Sequence, residues 1–174
     1  MSQLISRTGR VQAWMDDPSG RLPVSCTVMN VANELEGLHG IQNSWKFCST
    51  ALRNGAGVAI HLSQLDPRNF ERDSGVIASG PVSFGRIYSA LNETLRRGGK
   101  YKNGAVVLHL DANHPDIVEF IETPRNQLPW AKRCVDISQE WWDELDTEIR
   151  SKLLIGMRRG DVWLNKVKYD NEGQ

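Results

Sequence analysis

The residues with the clearest chemical potential form a run of glycines and cations near the middle of the chain. Arg97-Gly98-Gly99-Lys100-Tyr101-Lys102-Asn103-Gly104 combines three glycines with three cationic side chains. Glycine lets the backbone approach a ligand closely, and Lys or Arg supplies positive charge, so the run suits a phosphate or a nucleotide. It matches neither G-x-x-x-x-G-K-[ST] nor G-x-G-x-x-G, and such composition is also typical of a solvated turn. Both interpretations stay open on these residues alone.

Cysteines and histidines are the other side chains that could do chemistry. Cys26, Cys48 and Cys134 are far apart and lack C-x-x-C spacing, so they predict neither a disulfide framework nor a zinc site. Cys26 lies in an apolar run, where cysteine is more often a small core residue than a redox group. The four histidines show no ligand spacing, and we expect no metal site.

Composition limits the class of protein. The 174 residues include 21 Lys and Arg against 21 Asp and Glu, and 40% are hydrophobic, which indicates a globular chain with a core. This balance argues against disorder, a fibrous fold and a basic nucleic-acid partner. Apolar runs such as Ala105–Leu108 are much shorter than the roughly 20 residues of a membrane span, and the opening MSQLISRTGR lacks the apolar segment of a signal peptide. We therefore expect a cytoplasmic protein with no membrane partner.

Apolar periodicity predicts alternating strands and helices. The predicted strands are Val24–Val31, Val58–Leu62, Ala105–Leu110, Cys134–Ile137 and Val162–Val167. The predicted helices run from Ile41 to Asn54, from Gly80-Pro81 to Gly98-Gly99, from Pro115 to about Ile121, and from the N-cap Ser138 to about Ile155. Such alternation implies an α/β fold with parallel pairing, because parallel neighbours need a crossover that is usually a helix. Five strands make an open sheet or part of a barrel.

The same architecture predicts where a ligand binds. In parallel α/β folds the ligand meets the carboxyl ends of the strands, which here follow Val31, Leu62, Leu110 and Ile137. The glycine-rich turn Asn54-Gly55-Ala56-Gly57 and the run of glycines and cations instead precede strands.

Several segments, in a fixed order, resemble the catalytic large chain of ribonucleotide reductases. These segments are Val24–Leu38, Asn54–Pro67, Ala78–Leu91, Arg96–Glu122 and Val135–Leu145. The GPVSF and GGK...HPDI..FI blocks are most similar to the adenosylcobalamin-dependent class. The resemblance implies half of the ten-stranded α/β barrel of these enzymes, here as a domain over 23–168 with an N-terminal extension, 1–22, and a polar tail, 169–174. It also implies a nucleotide substrate and adenosylcobalamin as cofactor.

The resemblance assigns a role to the Ser-Cys pair and to the first glycine turn. In these enzymes a cysteine of such a pair lies under the ribose and is one of two thiols that reduce the 2′ carbon and become a disulfide. Cys26, preceded by Ser25, matches that cysteine. Ala56 and Gly57 resemble the segment that passes close to the ribose, where a larger side chain would collide with the sugar.

The family also has a specificity loop, which senses an effector deoxynucleotide and reshapes the pocket for the substrate base. The matching residues are Gly98, Gly99, Lys100, Tyr101, Lys102, Asn103 and Gly104. Glycines of such a loop permit two conformations, and its lysines can respond to an anion.

The effector site is similar in position but not in composition. Asn33, Glu34 and Leu35 stand where the family has an aspartate and a small polar residue. Gln64-Leu65-Asp66 replaces the family's R-L-R, which removes two cations that would face effector phosphates. Arg68 or Arg72 is the candidate replacement.

The radical cysteine of the family lies in an N-x-C-x-E motif, which does not occur in this sequence. The resemblance therefore implies an N-terminal piece of a split, phage-encoded reductase that is inactive alone and needs a complementing chain. An alternative is a non-catalytic binding or assembly module that associates with itself or with a host reductase. A third interpretation, an unrelated small nucleotide-binding α/β protein, accounts for the glycine run but not for the ordered segments.

Overall fold

The computed structural model describes residues 26–98 and 104–167. Its strands are β1 Cys26–Asn30, β2 Gly57–His61, β3 Val106–Asp111, β4 Ala131–Ile137 and β5 Trp163–Lys166. Its α-helices are α1 Ile41–Arg53, α2 Pro81–Gly98, α3 Ile117–Glu122, α4 Gln139–Glu144 and α5 Thr147–Arg159, with a 3₁₀ turn at Arg125–Gln127. The predicted extension 1–22, Ser25, residues 99–103 and the predicted tail 169–174 lie outside the described residues.

The strands form one five-stranded sheet in the order β1-β2-β3-β4-β5, and every pair is parallel. Each strand therefore pairs with its neighbour in sequence through a helical crossover. Because such crossovers are right-handed, sequential order places all the helices on one face. The helices also contact one another in series, α1 with α2, α2 with α3, and α3 with α5. The predicted parallel α/β fold is confirmed.

The core lies between the sheet and this helix layer. Alternate strand residues point into it, which gives β3 a strictly alternating pattern of buried and half-buried positions. Val58, Ile60 and Leu108 are among the most deeply buried of these side chains. On the opposite side of the sheet, here called the open face, Val28 is 62% exposed and Trp163 is 47% exposed. Apolar side chains on the open face are therefore left uncovered within the described part of the chain.

One charged side chain is buried in the helix layer. Arg133 of β4 is 1% exposed, and its guanidinium donates hydrogen bonds to the carbonyl oxygens of Phe120 and Ile121 in the last turn of α3. Burial lowers the pKa of this guanidinium. The contact places positive charge at the negative end of a helix, where free carbonyls need donors.

The prediction of one continuous helix after Ser138 is wrong. Ser138 does cap α4, since its Oγ accepts a hydrogen bond from the backbone N–H of Trp141 at 3.1 Å. The chain then extends at Leu145, with ψ 136°, and Asp146 begins a second helix by accepting a hydrogen bond from the N–H of Glu148 at 2.7 Å. Asp146 is thus an N-cap that interrupts an otherwise continuous apolar periodicity. None of the helices over 26–98 and 104–167 is long and apolar enough to cross a membrane.

Candidate functional site

The predicted redox cysteine and the predicted ribose segment lie side by side. Cys26 is the first residue of β1, and its Cα partner in the ladder with β2 is Gly57. Ala56, which precedes Gly57, is completely buried, and its N–H donates to the carbonyl oxygen of Ala51 at 2.9 Å. The turn is therefore anchored on the last part of α1. The structure brings Cys26, Ala56 and Gly57 together at the amino ends of two neighbouring strands.

The described ends of the predicted specificity loop flank the same region. Gly98 is the last residue of α2, and Gly104 precedes β3. Gly104 is buried, and a Cβ there would lie 2.9 Å from Leu52 Cδ2 and 3.5 Å from the carbonyl oxygen of Ala56. The absence of a side chain thus lets the loop return close to the Ala56 turn. Gly99, Lys100, Tyr101, Lys102 and Asn103 lie outside the described residues, as does Ser25.

These residues gather at the amino ends of the strands, whereas the sequence led us to expect a ligand at the carboxyl ends. Asn33, Glu34 and Leu35 do lie at a carboxyl end, in the segment after β1. The residues of the predicted site are therefore divided between the amino ends and the carboxyl ends of the strands.

The segment after β1 supports the start of α1. The carbonyl oxygens of Glu34 and Leu35 accept hydrogen bonds from the N–H groups of Ile41, at 2.9 Å, and Gln42, at 3.0 Å. Gly40, the N-cap residue of α1, has no side chain that could serve instead. Two first-turn amides, which in other proteins can bind an anion, are thus satisfied by this chain's own backbone.

Asn33 is joined by a hydrogen bond to the loop after β2, which carries an ion pair of its own. The backbone N–H of Asp66 donates to Asn33 Oδ1 at 3.1 Å, and Arg72 Nε lies 2.7 Å from Asp66 Oδ2. The hydrogen bond with the Asn33 side chain has the largest effect on the pKa of the Asp66 carboxyl and lowers it. The hydrogen bond with Arg72 has the next largest effect and also lowers that pKa. Arg68 is also paired, since its Nη1 lies 3.1 Å from Glu119 Oε1. Both arginines considered as replacements for the family's phosphate-facing cations therefore contact carboxylates.

The HPDI block connects the loops after β2 and β3. The N–H of Asp116 donates to His114 Nδ1 at 3.0 Å, so this ring carries its proton on Nε2, which lies 2.9 Å from the carbonyl oxygen of Leu65. His114 is 7% exposed, and its role in the structure is to position the Leu65 segment.

A polar cluster that sequence analysis missed lies near the carboxyl ends of β2, β3 and β4, on the open face. His61 Nδ1 lies 3.2 Å from Asp136 Oδ2, and His109 Nδ1 lies 2.9 Å from Asp136 Oδ1. The two imidazole rings are stacked, with centroids 4.3 Å apart and planes 18° apart. Asn165 Nδ2 donates to Asp136 Oδ1 at 2.9 Å.

The electrostatics of this cluster are dominated by Asp136, whose side chain is 3% exposed. Burial by itself would raise the pKa of the Asp136 carboxyl, but hydrogen bonds from His109, His61 and Asn165 outweigh it and hold that pKa well below its usual range. The carboxylate is thus ionised at neutral pH. One signal was present in the sequence: Ile-His-Leu, Leu-His-Leu and Val-Asp-Ile each place one polar residue between two apolar residues near a strand end.

Comparison with known proteins gives consistent results for this architecture. The sequence profile described as ribonucleotide reductase, barrel domain, matches residues 24–143. The vitamin B12-dependent ribonucleoside-diphosphate reductase of Thermoplasma acidophilum is 29% identical over 128 residues, which cover 71% of this chain and 16% of that protein. The protein of the same name from Mycobacterium tuberculosis is 34% identical over 134 residues, which cover 67% of this chain and 19% of that protein.

A solved structure shares the fold. The alpha subunit of the class Id ribonucleotide reductase of Actinobacillus ureae matches with a TM-score of 0.67 and 18% identity, over 87% of this chain and 28% of that chain. This agrees with the predicted part of an α/β barrel. The chain spans less than a fifth of the length of both curated relatives, at 16% and 19%.

Proposed function

This chain belongs to the ribonucleotide reductase barrel-domain family, and on that premise we propose that it is one part of a split ribonucleotide reductase. The assembled enzyme would convert ribonucleotides to deoxyribonucleotides for DNA synthesis. The observation that carries the proposal is the pairing of Cys26 with Gly57 at the amino ends of β1 and β2. A cysteine whose backbone pairs with a residue that has no side chain suits a sugar that must approach the backbone.

The chemistry requires a second thiol. Reduction replaces the C2′–OH bond of the ribose with C2′–H, releases water, and takes two electrons from two thiols that become a disulfide. Cys134 is not a suitable partner for Cys26, because three strand spacings, about 14 Å, separate β1 from β4. A disulfide needs Cα atoms about 4.4–6.8 Å apart. Cys48 is buried in α1, where burial raises its pKa to about 12. The second thiol would come from another chain.

The edges of the sheet supply a physical reason for such a partner. β1 and β5 are the outer strands, so each has one side without a pairing strand in the described part of the chain. Unpaired strand edges favour further strand pairing. Exposed apolar side chains lie near both edges: Val28 and Leu38 at one, Ile155 and Trp163 at the other. A second half barrel carrying the N-x-C-x-E motif would cover both edges.

Adenosylcobalamin enters this proposal only through the family, since the relatives are named vitamin B12-dependent. The described residues do not form a site for it. The exposed apolar side chains Val28 and Trp163 belong to an uncovered sheet surface, which has no opposing wall to enclose a large macrocycle. We therefore assign the radical-generating cofactor to the complementing chain. The proposed compartment is the cytoplasm, where buried free thiols such as those of Cys48 and Cys134 stay reduced.

A second candidate function is a non-catalytic binding or assembly module. It is favoured by the pairing of Arg72 with Asp66 and of Arg68 with Glu119, because cations held by carboxylates are poorly placed to bind effector phosphates. In that case the open edges would be covered by a second copy of this chain or by a host reductase.

Complementation tests the first candidate. The full chain is combined with a chain bearing N-x-C-x-E, and formation of deoxyribonucleotide is measured with a dithiol reductant. We expect the mixture to form deoxyribonucleotide and to lose this activity when the chain carries Cys26→Ser. The control is Cys134→Ala, which changes a cysteine three strands away from Cys26 and should leave the activity of the mixture intact. Full activity of the Cys26→Ser mixture would contradict the proposal. A native pull-down that recovers this chain alone at fixed stoichiometry, with no deoxynucleotide binding, would instead support the second candidate.

A further inference from the structure

We propose that His61, His109 and Asp136 bind a divalent transition metal of the zinc type on the open face of the sheet. One ligand atom from each of the three residues lies within 4.8 Å of the other two. Two imidazole nitrogens and one carboxylate oxygen are the donor set of many zinc sites that keep a fourth position open for water or a substrate.

The spacing of the donors is close to that of a metal site. Around a tetrahedral zinc ion with bonds of about 2.0–2.1 Å, ligand atoms lie roughly 3.4 Å apart. The Nδ1 atoms of His61 and His109 lie 3.2 and 2.9 Å from the carboxylate oxygens of Asp136. Without a metal, the Nδ1–H groups of His61 and His109 donate to Asp136. On metal binding each neutral ring would change tautomer, so that its proton is on Nε2 and the Nδ1 lone pair binds the ion. The stacked rings converge on one ion by rotation about χ2, a torsion with a broad energy minimum.

The backbone holds the three donors in place. His61 and His109 are Cα partners in the β2–β3 ladder, and Asp136 lies on the next strand as the partner of Asp111. Asn165, the partner of Asp136 on β5, donates to Asp136 Oδ1 at 2.9 Å. Such an outer hydrogen bond orients a ligating carboxylate. The site therefore rests on four strands rather than on loops.

Accessibility and charge also suit a cation. The His61 side chain is 25% exposed and that of His109 is 13% exposed, so an ion can enter from the open face. Two acidic residues, Asp136 and Asp111, are Cα partners in the β3–β4 ladder. Two nitrogen donors favour Zn²⁺, Co²⁺ or Ni²⁺ over Mg²⁺ and Ca²⁺, which prefer oxygen ligands. This inference does not depend on the reductase proposal, because it concerns the chain alone without nucleotide.

The test uses the full chain purified without a polyhistidine tag. Calorimetric titration with ZnCl₂ is expected to give one ion per chain, and CoCl₂ is expected to give the visible absorption of a low-coordinate Co²⁺ site. Removing a ligand with His61→Ala or His109→Ala should weaken Zn²⁺ binding by at least about 100-fold, and Asn165→Ala by about 10–100-fold. The control is His39→Ala, which removes an exposed histidine outside the cluster and should leave the affinity unchanged.

Circular dichroism establishes that each variant is folded. If an alanine variant fails to fold, His109→Gln keeps a hydrogen-bond donor for Asp136 and removes the imidazole ligand. The proposal is overturned if the wild-type chain binds no Zn²⁺, if folded His61→Ala and His109→Gln bind it as tightly as the wild type does, or if His39→Ala abolishes binding. Loss of reductase activity in the complementation assay has no bearing on these outcomes.

Discussion

The Asp116 carboxylate accepts a hydrogen bond of 2.8 Å from the backbone N–H of Arg68, and so joins the loop after β3 to the loop after β2. Gly80 completes this junction. Its φ is +85°, and a Cβ there would lie 2.7 Å from Asp116 Oδ2 and 3.0 Å from the Arg68 nitrogen. The junction therefore needs glycine both for its left-handed backbone and for its lack of a side chain.

Gly80→Ala should destabilise the chain more than Gly75→Ala. Gly75 has a similar φ of +79°, but a Cβ there would meet nothing within 4 Å. Gly75→Ala isolates the backbone strain, about 1–2 kcal/mol, and Gly80→Ala should add about 1–3 kcal/mol from overpacking. Urea denaturation of both variants measures the difference in the free energy of unfolding. Equal losses would contradict the close packing of Gly80.

Ser44 and Tyr88 should contribute unequally to stability. Their hydroxyls share a hydrogen bond between α1 and α2, and both residues are completely buried. Tyr88→Phe should cost about 1 kcal/mol, because the Ser44 hydroxyl keeps its bond to the carbonyl oxygen of Ile41 at 2.6 Å. Ser44→Ala should cost about 1–3 kcal/mol, because the buried Tyr88 hydroxyl loses this partner. The control is Ser49→Ala, which removes an exposed hydrogen bond of 3.0 Å from a serine hydroxyl of α1 to the carbonyl oxygen of Lys46. A smaller loss for Ser44→Ala than for Tyr88→Phe would refute this asymmetry.

Stability should fall at alkaline pH because of a buried thiol. Burial raises the pKa of Cys48 from 9.0 to about 12. As the pH rises, the Cys48 thiol loses its proton in the unfolded chain before it does so in the folded chain, because its folded-state pKa is the higher one. The free energy of unfolding is therefore unaffected by this thiol below about pH 9 and decreases as the pH rises towards 12. The midpoint of urea denaturation should decrease across this window, and less steeply in Cys48→Ala.

Alkylation gives a second check on the same thiol. Burial also raises the pKa of Cys134, to about 11, so neither Cys48 nor Cys134 should react with iodoacetamide near neutral pH until the chain unfolds. Rapid alkylation of Cys48 in the native chain would contradict the prediction, because it would show that the thiol is accessible to solvent.

Asp66→Asn should increase affinity for a deoxynucleoside triphosphate. The substitution removes the charged partner of Arg72, which keeps its hydrogen bond to the carbonyl oxygen of Asn33 at 3.0 Å. A cation without a carboxylate partner contributes about 1 kcal/mol to phosphate binding, or roughly fivefold in affinity. Equilibrium dialysis with the nucleotide measures the change, and Glu36→Gln, at an exposed position before α1, is the matched control. Equal affinity in Asp66→Asn and the wild type would show that Arg72 does not face a nucleotide.

The alternation of strands and helices and the parallel pairing followed from the sequence, because each apolar run is separated from the next by a segment with helical periodicity. The order of the strands in the sheet and their register did not follow from the sequence. His61 and His109 lie far apart in sequence, and only the pairing of β2 with β3 places their rings in contact. The break at Asp146 was hidden because Trp142, Leu145 and Ile149 keep helical spacing across it. The pairing of Arg72 with Asp66 likewise depends on how one loop turns back, which composition does not determine.

The sequential order of the sheet has a consequence for synthesis of the chain. Every strand pairs with the strand made immediately before it, so no strand must wait for a distant segment before its backbone hydrogen bonds can form. When a strand and its following helix have folded, the free edge of that strand is available to pair with the next strand that leaves the ribosome. Pairing each strand with its nearest neighbour in sequence keeps the closing segment as short as a helical crossover allows, which limits the entropic cost of loop closure. The sheet can therefore assemble during translation, one strand at a time, in the direction of synthesis.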